Sequence, residues 1–236
     1  MKTHPLRLAL HNEIHARPPE PVDIGTAITH IVRWLNPEDR AASLAHVTTL
    51  LSNHHLSGPQ PGVTHLRADL GAFKLRWEMH TEFVSYTFMR ALQSPLPGAR
   101  SLTKAIDAVD AQWLAQLPGE CLCQMHVTAV SQADEVASAL VRQSLREESL
   151  AGSRVGLGQV IVYTDFAIQS DGASQTLLQV GDLSPRRLGR LIQRLLEIET
   201  YRMAALLGLP EARRSMDLLT RGEAELASLA TAIRTA

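Results

Sequence analysis

Phe73-Lys-Leu-Arg-Trp-Glu-Met-His-Thr-Glu-Phe83 alternates apolar Phe73, Leu75, Trp77 and Met79 with charged or titratable Lys74, Arg76, Glu78, His80 and Glu82. A period of two marks a β-strand with one apolar and one polar face. After Thr81 the apolar positions change parity, to Val84, Tyr86 and Phe88. A strand that keeps its direction can change parity only by inserting a residue, so the stretch predicts a β-bulge or sharp bend at His80 to Glu82. Bulges re-aim side chains and concentrate beside active sites. Glu78, His80 and Glu82 are therefore the leading candidates for chemistry.

Working outward, Val63 to Asp69, Cys121 to Val130, Gln159 to Ile168 and Gln175 to Val180 also read as strands. The last two flank the turn-rich Ser170-Asp-Gly-Ala-Ser174, which predicts a hairpin. A first helix is expected to end at Arg17, before Pro18-Pro19, because Leu6, Leu10 and Ile14 recur every four positions. A second amphipathic stretch runs from about Thr26 to Leu35. A third helix starts at the cap Asn36 with Pro37, Glu38 and Asp39 and reaches about His54. Further helices are expected at Ser101 to Leu117 and Ala133 to Leu145.

Beyond the cap Ser184 and Pro185, a dense apolar run extends to Leu207, and Gly208 and Pro210 mark a stop and restart before a final helix. The pattern is α+β: a mostly antiparallel sheet packed with helices, ending in two long carboxy-terminal helices. Strand, helix, hairpin and helix from Cys121 to Leu207 match part of a ferredoxin-like unit. The expected organisation is a single α+β domain over residues 1–209, with residues 210–236 as a helix extending from it.

The bulk composition narrows the function classes. A chain of 236 residues with 45% hydrophobic content can bury a substantial core. Its 23 basic and 24 acidic residues leave a formal charge of -1, which offers no general attraction to a phosphate backbone, so no nucleic-acid partner is expected. No apolar run approaches the roughly 20 residues that span a bilayer, so this chain is not expected to insert into a membrane. Cys121 and Cys123 stand too close for a relaxed disulfide, and a cytoplasmic location fits them best. They read as small core residues, and His46 and His54 as surface polarity.

A second polar cluster comprises His11, Glu13, His15 and Arg17. On a helix His11 and His15 lie one turn apart, a spacing that offers two imidazoles to one metal ion. If the first helix covers the polar face of the opening strand, His11 and His15 meet His80 as metal ligands, while Glu13, Arg17, Glu78 and Glu82 supply acid, base and charge. Imidazole and carboxylate suit a divalent metal such as zinc or iron and would support hydrolysis or oxidation of a small-molecule ligand. The competing reading of each cluster is an ordinary solvated face. In the carboxy-terminal run, Arg194 with Glu197 and Glu199 with Arg202 are spaced to pair on the helix. The excess of apolar residues there also suits a homo-oligomer interface, which supports a non-enzymatic alternative, a self-associating scaffold or regulatory domain.

Three stretches carry a family resemblance: His11-Asn-Glu-Ile-His-Ala-Arg-Pro18, Trp77-Glu-Met-His-Thr-Glu-Phe83, and the run from Gly189 through Glu197-Ile-Glu-Thr-Tyr-Arg-Met203 to Pro210. Together they resemble a bacterial domain of unknown function whose members are described as predicted membrane-anchored proteins. The likeness spans nearly all of this chain and about the amino-terminal half of family members, which continue through a longer helical region to a hydrophobic anchor. The resemblance implies tethering at the inner face of the membrane in those longer relatives. It supplies no activity, cofactor or catalytic residue.

Overall fold

The opening stretch does not bulge; it turns over. In the computed structural model, which describes residues 3–8, 18–60, 62–92, 103–134 and 137–235, it forms β3 (Lys74–Met79), a tight turn, and β4 (Phe83–Ala91). Every antiparallel pair from Lys74↔Met89 to Met79↔Val84 joins an even-numbered residue to an odd-numbered one. Crossing such a hairpin switches number parity while keeping the face, which is the parity change read from the sequence. Arg40 fixes the turn by donating Nη1 to the carbonyls of His80 and Thr81, each at 2.7 Å.

The hairpin lies in an eight-stranded sheet of order β2-β3-β4-β1-β5-β8-β7-β6. Its other strands are β1 (Thr26–Trp34), β2 (His65–Asp69), β5 (Glu120–Ser131), β6 (Ala151–Val155), β7 (Val160–Ile168) and β8 (Ser174–Val180). Neighbours run antiparallel except β5 and β8. The helices are α1 (Pro37–Asn53), α2 (Ala111–Ala115), α3 (Ala137–Ser144), α4 (Pro185–Leu206) and α5 (Leu209–Thr235). The fold is α+β, as the sequence implies. The region expected to be ferredoxin-like instead runs β5-α3-β6-β7-β8-α4, with one strand more than the sequence pattern suggests and β8 returning beside β5.

Two expected helices take other forms. Thr26 to Leu35 is the central strand β1, with Ala27, Ile28, Ile31 and Val32 all buried. A strand buried on both faces has no clean period of two, and its β-branched residues suit a pleated, doubly covered position. Among the described residues of Ser101 to Leu117 there are a 3₁₀ turn at Ala105–Ala108 and the five-residue α2. Trp113 of α2 docks on α1: its indole donates to the His46 carbonyl at 3.0 Å, its own carbonyl lies 2.9 Å from His46 Nε2, and the two rings stack. His46 is thus a docking residue, and Cys121 is exposed and Cys123 half-buried rather than core.

Helices cover both faces of the sheet. α1 and α2 pack on Ile31, Trp77, Tyr86 and Phe88, and α3 packs on Val130 and Leu177 of the same face. On the opposite face, Leu188, Ile192 and Leu196 of α4 meet Ile28, Val127 and Leu178. Gly119 closes the entry to β5 at φ +78, where a Cβ would strike the Trp34 carbonyl. Arg33 donates to the carbonyls of Leu117 and Pro118 at 2.9 and 3.1 Å and locks that entry. The chain divides into two compact units, residues 1–197 and 198–236. Among the described residues, no helix is long and apolar enough to cross a membrane.

Candidate functional site

The polar face of β3 is covered, so its charges must be accommodated. Cross-strand register sets His30, Thr87 and Arg76 side by side on β1, β4 and β3, with Val32, Ser85 and Glu78 in the next row. Alternation aims all six toward the α4 face. His30, Thr87, Arg76, Ser85 and Glu78 are all buried. This is a polar belt inside the protein.

Its internal bonds are specific. His30 Nδ1 and Thr87 Oγ1 lie 2.9 Å apart, and Arg76 Nη1 donates to Gln193 Oε1 of α4 at 3.4 Å. Arg76 Nε stands 3.3 Å from Glu78 Oε2, but out of line for a hydrogen bond, and it has no other partner. A buried guanidinium donor without a bond is costly and rare. Arg76 lines a cavity of about 20 Å³ with Thr87, Met89, Gly189 and Gln193, room for about one water.

A strap of chain roofs this cavity. Arg67 donates to the Pro18 carbonyl at 2.6 Å and pairs with Glu20, while the Val22 N–H donates to the Pro185 carbonyl at 3.0 Å. Glu20, Val22 and Met89 also line a larger cleft of about 280 Å³, which runs between residues 20–26 of the strap, the Asp69–Lys74 turn and the end of β4. Lys74, Arg90, Asp23 and Asp69 line it with both signs of charge. The cleft and the inner cavity share a wall.

Burial, then the Arg76 charge, then His80 lower the His30 pKa to about 3. A neutral imidazole at physiological pH donates and accepts hydrogen bonds but is a weak base. Because the unfolded His binds its proton near pH 6.5 and the folded one does not, its contribution to stability is complete above 6.5 and is lost as pH falls toward 3. The slope approaches about 1.4 kcal/mol per pH unit. Between pH 7 and 5 the wild type should lose about 2 kcal/mol more than His30→Asn. Urea denaturation across that range measures the difference, and parallel curves would refute it.

The sequence candidates separate here. Glu78 is buried in the belt, whereas Glu82 is exposed in the hairpin turn. His80 is half-buried at the same turn, its ring stacked on Phe83 with centroids 4.3 Å apart. His11, Glu13, His15 and Arg17 lie outside the described residues, so their expected meeting with His80 is not part of the described site. His30, Thr87 and Gln193 have no local sequence signal; His30 stands in the stretch Thr26 to Leu35 that reads as an amphipathic helix. Among the described residues, no group of three or more His, Cys, Asp or Glu is placed to hold a metal ion.

A second buried histidine lies on the other face. His126 Nδ1 is 2.9 Å from Thr29 Oγ1, and Nε2 is 3.1 Å from Asp171 Oδ2, which also pairs with Lys104. Burial lowers the His126 pKa against the pull of Asp171. Burial would raise Asp171, but Lys104, the Ala173 N–H and His126 hold it at about 2. The Thr-His-Asp order suggests a nucleophile, but Thr29 is fully buried and its hydroxyl already accepts the Ile106 N–H at 3.2 Å. The network ties β1 and β5 to the loop joining β7 and β8.

The sequence model of a family described as "Protein of unknown function (DUF3422)" matches residues 2–236, and the chain belongs to that family. Comparison with curated proteins and with solved structures found no match.

Proposed function

We propose that this member of the family is a ligand-binding domain, with the belt of His30, Thr87, Arg76 and Glu78 as the inner end of its site and the strap-lined cleft as its entrance. The observation that carries the reading is the buried Arg76 Nε without a hydrogen bond, on a residue that lines a cavity adjoining a surface cleft. A planar fork of donors with spare capacity suits a small polar ligand that can accept hydrogen bonds, such as a carboxylate, seated in the 280 Å³ cleft and reaching Arg76 through one water in the inner cavity. Binding such a ligand at about 100 times its Kd stabilises by about 2.7 kcal/mol. For a domain of this size that raises Tm by about 5–11 °C. A thermal-shift series with acetate, citrate and phosphate tests it: at least one should raise the wild-type Tm, and Arg76→Gln should abolish the rise. No rise with any probe, or a rise that survives the substitution, would refute the site.

The catalytic form of this proposal adds a divalent metal, zinc or iron, held by His11, His15 and His80, with Glu13, Arg17, Glu78 and Glu82 around it. The nearest described residue after His11, Glu13, His15 and Arg17 in sequence is Pro18, whose carbonyl accepts a hydrogen bond from Arg67 of β2, the strand paired with β3. Arg76 argues against a cation at the belt itself, because a buried positive charge beside Glu78 already occupies that role. Metal analysis of protein purified without an affinity tag separates the two forms. About one equivalent, lost in His80→Ala, carries the metal form; none leaves the Arg76 site alone.

A further inference from the structure

α5 carries an apolar stripe with a 3-4 spacing that the polar belt does not explain, with Leu218 and Leu229 exposed beside it. Leu209, Met216, Glu223 and Ala230 repeat every seven residues, and Ala212, Leu219, Leu226 and Ile233 repeat in the same way three residues further on. These are the a and d positions of four heptads, with Glu223 as the one polar residue among eight. A sustained seven-residue repeat keeps its seam facing a partner helix rather than a sheet or a flat surface. The seam is open: Leu219 is 62% exposed, Leu226 67% and Ile233 78%, and no residue of α5 is buried. At about 1.5 Å per residue, the 27-residue helix offers a seam about 40 Å long.

We infer that α5 pairs with α5 of a second copy of this chain, antiparallel, in a two-stranded coiled coil. Glu223 selects the orientation. A parallel pair would face Glu223 against Glu223 within an apolar seam, two like charges without a counter-ion. An antiparallel pair centred on Arg221 sets Glu223 beside Leu219 of the partner helix, where its methylenes pack and its carboxylate reaches the rim. The same centring opposes Leu209 to Ile233, Met216 to Leu226 and Ala212 to Ala230, so each large residue meets a large one and the small layers coincide. Such self-complementarity is what a two-fold interface requires. The flanking e positions, Arg213, Thr220, Ala227 and Arg234, bring no arginine opposite another in this arrangement: Arg213 faces Ala227.

Sedimentation equilibrium of the full 236-residue chain should show a dimer, with dissociation raised at least 100-fold by Leu219→Glu with Leu226→Glu and lowered at least tenfold by Glu223→Leu. The far-UV spectrum and urea transition of the charged variant show that the sheet remains folded. Orientation is read by cross-linking in a Cys121→Ser, Cys123→Ser background. Ala212→Cys mixed with Ala230→Cys should form a disulfide, and neither should do so alone, because antiparallel copies of one position lie about 27 Å apart. A monomeric wild type, or dimerisation unchanged by the two glutamates, would overturn the pairing. Cross-linking of either variant alone would overturn its orientation.

Discussion

Glu78→Ala should lower stability by about 3–5 kcal/mol, the loss seen when one partner of a buried ion pair is removed. The Arg76 and Glu78 side chains are each 9% exposed, so neither charge is relieved by water. Without Glu78, the guanidinium keeps the 3.4 Å bond to Gln193 and stays under α4. In a domain of this size the loss corresponds to about 6–20 °C in Tm. Arg76→Met with Glu78→Leu tests the other side of the argument. Replacing both charges by apolar groups of similar volume is often neutral or stabilising, so the double variant should recover most of the loss. It should also lose any ligand-induced rise in Tm. Stability and ligand response then separate: a pair kept only for folding can be exchanged, whereas a pair kept for binding cannot. A Glu78→Ala cost below about 1 kcal/mol would mean that the pair behaves as a solvated one.

Much of the sheet was legible because strands such as β3 and β4 alternate apolar and polar residues with a period of two, and the helices α1 and α4 because Asn36-Pro37 and Ser184-Pro185 announce their starts. The parity change after Thr81 was legible as a break but not as a reversal. A bulge and an even-length hairpin leave the same trace in residue numbers, and only pairing distinguishes them. β1 was hidden by burial on both faces. β6, Ala-Gly-Ser-Arg-Val155, has too few apolar residues for any period to show. Local pattern fails where apolar residues fall without regard to parity, as in β1, and where there are almost none, as in β6.

The site was legible only in part, for a related reason. Glu78 and His80 stand within one stretch, and alternation alone puts them on a common face. His30 and Arg76 lie 46 positions apart and become neighbours through the shared partner Thr87, a relation set by register across three strands. Gln193 arrives from a helix more than a hundred residues later. The polar face was expected to be solvated or covered by the first helix; α4 and the strap cover it, and residues 9–17 of that expected helix lie outside the described residues. That cover converts an ordinary outer row of charges into a buried belt with an unsatisfied donor, which is the feature with functional content.

Gly189→Ala should cost about 3 kcal/mol or more, although the same change in an exposed helix interior stabilises. The residue presents its bare Cα to the strap: a Cβ there would overlap the Glu20 carbonyl oxygen, 2.9 Å from the Glu20 carbonyl carbon and 3.4 Å from the Val22 nitrogen. These neighbours are backbone and cannot swing aside as a side chain would. To admit one methyl group the strap must lift, straining the Val22–Pro185 hydrogen bond and the Arg67–Glu20 pair and withdrawing Val22 from the apolar contacts of α4. Gly222 is the matched control, a helical glycine of α5 where a Cβ would meet nothing within 4 Å. Gly222→Ala should stabilise its helix by about 0.8–1 kcal/mol. Opposite signs for one chemical change isolate the close approach at Gly189 from helix propensity. Limited proteolysis extends the test to function: a lifted strap should be cut between residues 18 and 26 faster in Gly189→Ala, and the cleft it roofs should lose its ligand response together with that protection. If Gly189→Ala instead matches Gly222→Ala in sign and leaves cleavage unchanged, the strap does not rest on α4 and the cleft has no fixed roof.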